Sequence, residues 1–197
     1  MPDTTIDPAA REVLDFWFGA AGSAQHGQPR REWFAKDTAF DQQILERFGA
    51  RIEAALAGRL TDWAGTPEGA LALIIVLDQL TRNSFRDTPR MFAGDAQALD
   101  LACRVVALGW DARLSSLQRW FCYLPFEHAE DLAMQRESLR LFGALRDDAQ
   151  AGGALQWAQR HYEVIERFGR FPHRNEILGR ASTPAELEFL NQPGSRF

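Results

Sequence analysis

Residues 66–86 read TPEGALALIIVLDQLTRNSFR, and this stretch decides the fold. Thr66 and Pro67 indicate a helix start, because threonine caps a first turn well and proline is favoured at the first helical position. The run from Ala70 to Leu77 is apolar at every position. A surface helix would instead show polar residues along one side. The stretch therefore predicts a helix that is buried on nearly every side and lies at the centre of the molecule.

The rest of the chain also shows helical periodicity. Apolar residues recur at intervals of three and four, and no sustained alternation of apolar and polar residues indicates a strand. We predict one all-α domain of about eight helices that covers residues 1–197. Helix starts are expected at Asp7, at Asp37, at Ser115 or Ser116, and at Thr183. Pro125 is expected to interrupt a helix, with the next one running from about residue 127 to 145. This pattern fits an irregular bundle and stacked helix pairs equally well.

Composition argues against several classes of protein. The formal net charge is -5, whereas proteins that bind a nucleic-acid backbone usually carry a basic surplus. No signal peptide is recognisable, and no apolar stretch approaches the ~20 residues that span a bilayer, so we predict a cytoplasmic protein that does not contact membranes. Cys103 and Cys122 lack the spacing of a zinc or redox site. No cofactor motif is present, and we predict no cofactor.

The polar end of the central helix is the first candidate site. At helical spacing, Asp78 would face Arg82 and Gln79 would face Asn83, with Arg86 one turn further on. Buried groups of this kind need partners. The segment therefore indicates either an ion pair that caps the helix and holds a loop, or part of a functional site.

Residues 123–135, YLPFEHAEDLAMQ, are the second candidate. They resemble an acidic helix start, which the helix dipole alone would favour. Glu127 and Asp131 would share one face, and His128 with Asp131 has the spacing of two metal ligands. Because no second motif completes such a site, we predict no metal.

Residues 161–175, HYEVIERFGRFPHRN, are the third candidate. Gly169 should end a helix, after which a loop presents Arg170, His173, Arg174 and Asn175. Guanidinium groups bind carboxylates and phosphates through a fork of donors, so this loop suits an anion. The alternative is an arginine network that bridges to the acidic turn at residues 127–131.

Five stretches together resemble the bacterial domain-of-unknown-function family numbered 924: VLDFWFG, WFAKDTAFD, LALIIVLDQLTRNSFRDTPRMFA, YLPFEHAEDLAMQ and HYEVIERFGRFPHRNEILGR. The resemblance implies a tetratricopeptide-like array of stacked helix pairs and carries no biochemical role. Thr81 and Ala129 depart from the family pattern, which has proline and serine there; the first departure would relax a turn after Leu80. The signature polar positions that the resemblance implies are Asp78, Gln79, Arg82, Asn83, Arg86, Glu127, His128, Asp131, His161, Arg170, His173, Arg174 and Asn175.

Three functional hypotheses follow. The first is a binding protein whose arginine-rich pocket holds a small anionic molecule or an acidic peptide. The second is a structural or interaction module in which the polar groups only join helix ends. The third is an enzyme, a hydrolase or lyase, with His128 or His173 as base and Glu127 or Asp131 as its partner or as a metal ligand. Exposed aromatic residues at Trp33-Phe34 and Phe197 would suit a homodimer.

Overall fold

The computed structural model describes residues 5–151 and 153–196, which form an all-α array, as predicted. No helix in these ranges is long and apolar enough to cross a membrane. Helix α3 covers residues 67–84 in three consecutive segments, Pro67–Ile74, Ile75–Leu80 and Thr81–Ser84. The other helices of the described residues are α1 (Pro8–Phe18), α2 (Thr38–Leu56), α4 (Asp95–Ala107), α5 (Ser116–His128), α6 (Leu132–Gly143), α7 (Ala154–Phe168) and α8 (Pro184–Leu190).

Side-chain caps begin five of these helices at the predicted residues, including α3, where the Thr66 hydroxyl accepts from the Gly69 N–H. The Asp7 carboxylate accepts from the backbone N–H groups at the start of α1, and Asp37 does the same for α2. Ser115 and Thr183 each form a capping box. Because capping satisfies N–H groups that have no partner within the helix, these starts depend on local sequence and are readable from it.

Helix α3 is the centre of the fold, as its sequence predicts. Every residue from Ala70 to Leu80 is buried. Helices α1, α4 and α5 contact its first segment, and α2 contacts the later two. Beyond this core, α5 packs on α6, and α6 packs on α7. The polar end of α3 therefore lies among other helices and not in solvent.

The middle segment of α3, Ile75–Leu80, is a π-helix. The Thr81 hydroxyl donates to the Leu77 carbonyl at 2.6 Å, which supplies this wider turn with a side-chain donor. Gly94 packs directly on the same carbonyl: a Cβ at this position would lie 2.2 Å from the Leu77 oxygen. The turn expected after Leu80 is wrong, since the helix continues to Ser84.

The expected break at Pro125 is also wrong. Pro125 lies inside α5, which continues to His128, and α6 begins only at Leu132. The buried Gln135 side chain explains the continuation, because its amide nitrogen donates to the carbonyls of Phe126, Glu127 and Ala129 at 3.3, 2.7 and 2.8 Å. The Phe126 carbonyl also accepts from the Ala129 N–H at 3.4 Å, whereas the other two are among the carbonyls that a helix end leaves without intrahelical donors. Glu127 therefore ends a helix, and the dipole explanation of its charge does not hold.

Two further predictions concern the surface. Trp33 is buried in the core, while the neighbouring Phe34 is 60% exposed, so half of the expected aromatic pair faces solvent. Phe197 lies outside the described residues. The homodimer, the single-domain boundary and the tetratricopeptide-like stacking stay predictions.

Candidate functional site

Polar side chains from five parts of the chain meet at the end of the π-helical segment. They come from α3 itself, the first turn of α4, the carboxyl end of α5, the middle of α7 and the turn Pro172–Arg174. We call this group the polar cluster; its members are Asp78, Arg82, Asp95, Glu127, His128, His161 and Arg174. Two cavities at the surface, of about 230 and 300 Å³, are lined by none of these residues. The polar cluster reaches solvent at Arg82, His128 and Asp95, whose side chains are 14%, 16% and 24% exposed.

Asp78 is the most buried member of the polar cluster. Its Oδ1 atom lies 2.8 Å from His128 Nδ1 and 2.9 Å from Arg82 Nη1. The Gln79 amide donates to Oδ2 at 2.6 Å. Burial opposes ionisation of this carboxyl, but the charge of Arg82 and the contact with His128 outweigh it and hold the pKa below its ordinary value. Asp78 is thus a fixed, ionised acceptor.

Arg82 joins the central helix to the first turn of α4. Its guanidinium donates to both carboxylate oxygens of Asp95, at 2.8 and 3.0 Å, in addition to its contact with Asp78. A two-point pair of this kind fixes orientation as well as charge. The interpretation of Asp78 and Arg82 as an ion pair is confirmed. Asp95 is the partner through which Arg82 holds the loop between α3 and α4.

Glu127 and His161 form the second contact of the cluster. The Glu127 Oε1 atom lies 3.2 Å from His161 Nδ1, which also lies 2.9 Å from the Trp157 carbonyl. Burial, together with the nearby charge of Asp78, raises the pKa of Glu127 to about 8. Burial lowers the pKa of His161 to about 3. At neutral pH the contact therefore joins a protonated carboxyl group to a neutral imidazole and is not an ion pair.

Arg174 is the least compensated cation of the cluster. Its side chain is 8% exposed, and its Nη1 atom lies 3.5 Å from Asp95 Oδ2. Its guanidinium carbon lies 4.7 Å from the ring centre of Phe92 and 4.5 Å from that of Phe171. Burial and the nearby charge of Arg82 lower its pKa to about 10.

A salt bridge holds the turn that carries Arg174. Arg180 donates to both carboxylate oxygens of Glu130, at 2.6 and 2.9 Å, and also to the Phe171 carbonyl. Glu130 in turn accepts from the Phe171 N–H at 2.7 Å. The predicted alternative of an arginine bridge to the acidic turn is therefore present, although the arginine that forms it is Arg180 and not Arg170 or Arg174.

These contacts close into a circuit. Going round it, Asp78 contacts His128, whose ring centre lies 6.3 Å from that of His161. The His161 ring packs at 5.4 Å on Phe171, and Phe171 packs on Arg174. Arg174 contacts Asp95, Asp95 pairs with Arg82, and Arg82 contacts Asp78, which closes the circuit. The convergence expected of the three sequence segments is thus real for this subset of the predicted residues.

Other predicted residues lie elsewhere. Asn83 and Arg86 both donate to Asp41 of α2, because the π-helical segment turns them away from Gln79. Asp131 accepts from the first N–H groups of α6, so it neither pairs with Glu127 nor completes a metal site with His128. Among the described residues, no group of three His, Cys, Asp or Glu side chains is arranged to hold a metal ion.

The remaining part of the third motif is mostly structural. Arg170 forms a two-point pair with Glu186, the capping residue of α8. Asn175 bonds the Ser182 hydroxyl and accepts from Arg180. His173 lies beside the cluster with its ring 5.6 Å from Phe171, and burial lowers its pKa to about 3. Only Arg174 of this loop belongs to the polar cluster.

Sequence reasoning missed three residues that build the site: Asp95, Gln135 and Arg180. Asp95 follows Gly94 at a helix start, where an acidic residue is ordinary. Gln135 and Arg180 are the last residues of two stretches that resemble the family, but neither was predicted as a site residue. A long polar side chain within an apolar helix face was the one available signal for Gln135.

The comparisons with known proteins agree with this architecture. The model of the family described as "Bacterial protein of unknown function (DUF924)" matches residues 13–194. The chain belongs to this family. A solved structure of a protein of unknown function from Agrobacterium tumefaciens is 40% identical and superposes with a TM-score of 0.82, covering 93% of this chain and 97% of that one. No curated protein matches this member of the family.

Proposed function

We propose that the polar cluster binds a small carboxylate through Arg174. One observation carries the proposal: the Arg174 side chain is buried, and its Nε atom has no hydrogen-bond partner among the described residues. A buried donor without an acceptor costs about 1–3 kcal/mol, and more when the group is charged. A carboxylate placed at this nitrogen would recover that cost.

The surroundings of Arg174 favour recognition along the edge of the guanidinium group. Phe92 and Phe171 pack against it, as in a cation–π contact, and aromatic packing of this kind leaves the N–H groups at the edge of the guanidinium available. The carboxylate of Asp95 already receives two hydrogen bonds from Arg82, so it satisfies Arg174 poorly. A ligand carboxylate could accept from Arg174 with both oxygens.

The charges nearby limit the ligand to a low negative charge. Asp78 and Asp95 are close to Arg174, and they already pair with Arg82. A dianion such as phosphate would be repelled by these two carboxylates more strongly than a monocarboxylate. We therefore expect small monocarboxylic acids to bind more tightly than inorganic phosphate.

Thermal unfolding with a panel of monocarboxylates and inorganic phosphate tests this proposal. At about a hundredfold over Kd, a carboxylate should add about 2.7 kcal/mol to the free energy of unfolding and raise Tm by roughly 5–10 °C. The shift should disappear in Arg174→Met and weaken in Arg174→Lys, which keeps the charge and loses the fork. Arg86→Met is the matched control, because Arg86 pairs with Asp41 outside the cluster.

Two outcomes would reject the proposal. One is the absence of a shift with every monocarboxylate in the wild-type protein. The other is a shift that persists unchanged in Arg174→Met while that variant still unfolds cooperatively.

A further inference from the structure

His128 is held in the orientation of a general base. Its Nδ1 atom donates to Asp78 Oδ1 at 2.8 Å, because an ionised carboxylate can only accept. Arg82 and Gln79 fix the same carboxylate from two other directions. Burial, together with the charge of Arg82, holds the pKa of His128 below its ordinary value. The imidazole is therefore neutral at pH 7, with the lone pair on Nε2.

Glu127, the preceding residue, is a buried carboxyl group whose Oε1 atom lies 3.2 Å from His161 Nδ1. Its side chain is 4% exposed, and its Oε2 atom has no hydrogen-bond partner among the described residues. The pKa of about 8 keeps this carboxyl group protonated at neutral pH. A base and an acid whose environments hold them in complementary protonation states are the usual arrangement of acid–base catalysis.

The last turn of α5 brings these two groups together. Gln135 binds the carbonyls of Phe126, Glu127 and Ala129 and so fixes the backbone that carries both. Among the described residues, no serine, threonine or cysteine side chain is hydrogen-bonded to His128. Covalent catalysis through such a nucleophile therefore has no support, whereas direct proton transfer does.

We propose that the polar cluster is an acid–base catalytic site that eliminates water from a small β-hydroxy carboxylate, with His128 as base and Glu127 as acid. This inference rests on the proposed carboxylate binding by Arg174. With its carboxylate at Arg174, a substrate would lie beside the circuit of contacts that also contains His128.

The reaction balances without an oxidant or a cofactor. His128 Nε2 takes the proton from the carbon next to the carboxylate, and the electron pair of that C–H bond forms the new C=C bond. The C–O bond on the following carbon breaks, and Glu127 protonates the departing oxygen, which leaves as water. A proton passing from the imidazolium to the Glu127 carboxylate then restores both groups.

Proton NMR in D2O tests the inference with two monocarboxylates, β-hydroxypropionate and β-hydroxybutyrate, as probes. Wild-type protein should introduce deuterium at the carbon next to the carboxylate and form the unsaturated acid. His128→Gln should lose both signals. Glu127→Gln should keep the deuterium exchange and lose at least about a hundredfold in elimination, the scale of general acid catalysis. His26→Gln, which changes an exposed histidine in the loop after α1, should behave as wild type.

The pH profile separates catalysis from structure. Elimination by the wild-type protein should fall above about pH 8, where Glu127 loses its proton. If a probe acid raises Tm through Arg174 and neither exchanges nor eliminates, the catalytic inference is wrong and carboxylate binding stands. If neither acid binds, the catalytic inference is wrong, whereas carboxylate binding fails only if every monocarboxylate of the panel leaves Tm unchanged. Tm measured with the probe in His128→Gln shows whether that variant still folds and binds.

Discussion

The ionisation of Glu127 should weaken the fold as pH rises through neutrality. Burial, with the charge of Asp78, raises its pKa from 4.5 to about 8. In the unfolded chain this carboxyl group has its ordinary pKa, so between the two values the folded state holds a proton that the unfolded state has lost. The free energy of unfolding therefore decreases with rising pH across this window, by about 1.4 kcal/mol per pH unit.

Two histidines change stability in the opposite direction, but at lower pH. The pKa values of His161 and His173 are lowered from 6.5 to about 3 by burial, so the folded state binds fewer protons between these values. Their effect raises stability with rising pH and fades above pH 6.5, where the unfolded histidines are half protonated. From pH 6.5 to 8, the Glu127 effect amounts to about 1.7 kcal/mol and the two histidines offset about 0.8 kcal/mol of it, which leaves a net loss of about 1 kcal/mol, or roughly 2–4 °C in Tm.

Urea unfolding at four pH values between 6.5 and 8 measures this effect. The wild-type protein should lose about 1 kcal/mol over the range, while Glu127→Gln, which cannot ionise, should gain about 0.8 kcal/mol from the two histidines. Glu130→Gln is the control, because Arg180 outweighs burial and keeps the pKa of Glu130 below its ordinary value. The free energy of unfolding of this variant should be lower than that of the wild type by the same amount at every pH in the range. If the free energy of unfolding changes with pH by the same amount in the wild type and in Glu127→Gln, Glu127 is not protonated in the folded protein.

Three further changes test the scaffold through urea unfolding. Gln135→Met removes the donor to three helix-end carbonyls and should cost about 2–4 kcal/mol; a cost below 1 kcal/mol would contradict its capping role. Gly94→Ala should cost about 1–3 kcal/mol because its Cβ would collide with a carbonyl of α3, whereas Gly65→Ala, which meets nothing within 4 Å, should be nearly neutral. Arg180→Met should cost about 1–3 kcal/mol by leaving Glu130 without its two-point partner. A double-mutant cycle with Glu130→Gln should show coupling between the two residues, and additive costs would contradict the role of this salt bridge.

Local sequence was sufficient for the helices and their starts. Asp7, Asp37, Ser115 and Thr183 cap the helices predicted for them, since a cap involves residues two or three positions apart. Likewise, the uniformly apolar run before Asp78 correctly predicted a central helix.

The errors arose where distant residues decide the local structure. Proline inside a helix normally ends it, but Gln135 binds the carbonyls at the end of α5 and the helix continues past Pro125. The candidate site shows the same limit. Asp78, His128 and Arg174 do share one cluster, while its partner Asp95 comes from a segment that carries no motif, and the role of Arg180 depends on Glu130, 50 residues away.

The π-helical segment Ile75–Leu80 determines how far the end of the central helix is rotated about the helix axis relative to its start. One residue more or less in an α-helix rotates everything after it by about 100°. Removing one residue from the wide turn would leave a helix on either side, yet it would swing Arg82 away from Asp95 and Arg86 away from Asp41. The extra residue in the π-helical turn therefore rotates the end of α3 about the helix axis. This rotation lets one buried helix contact both α4 and α2 with the correct side chains.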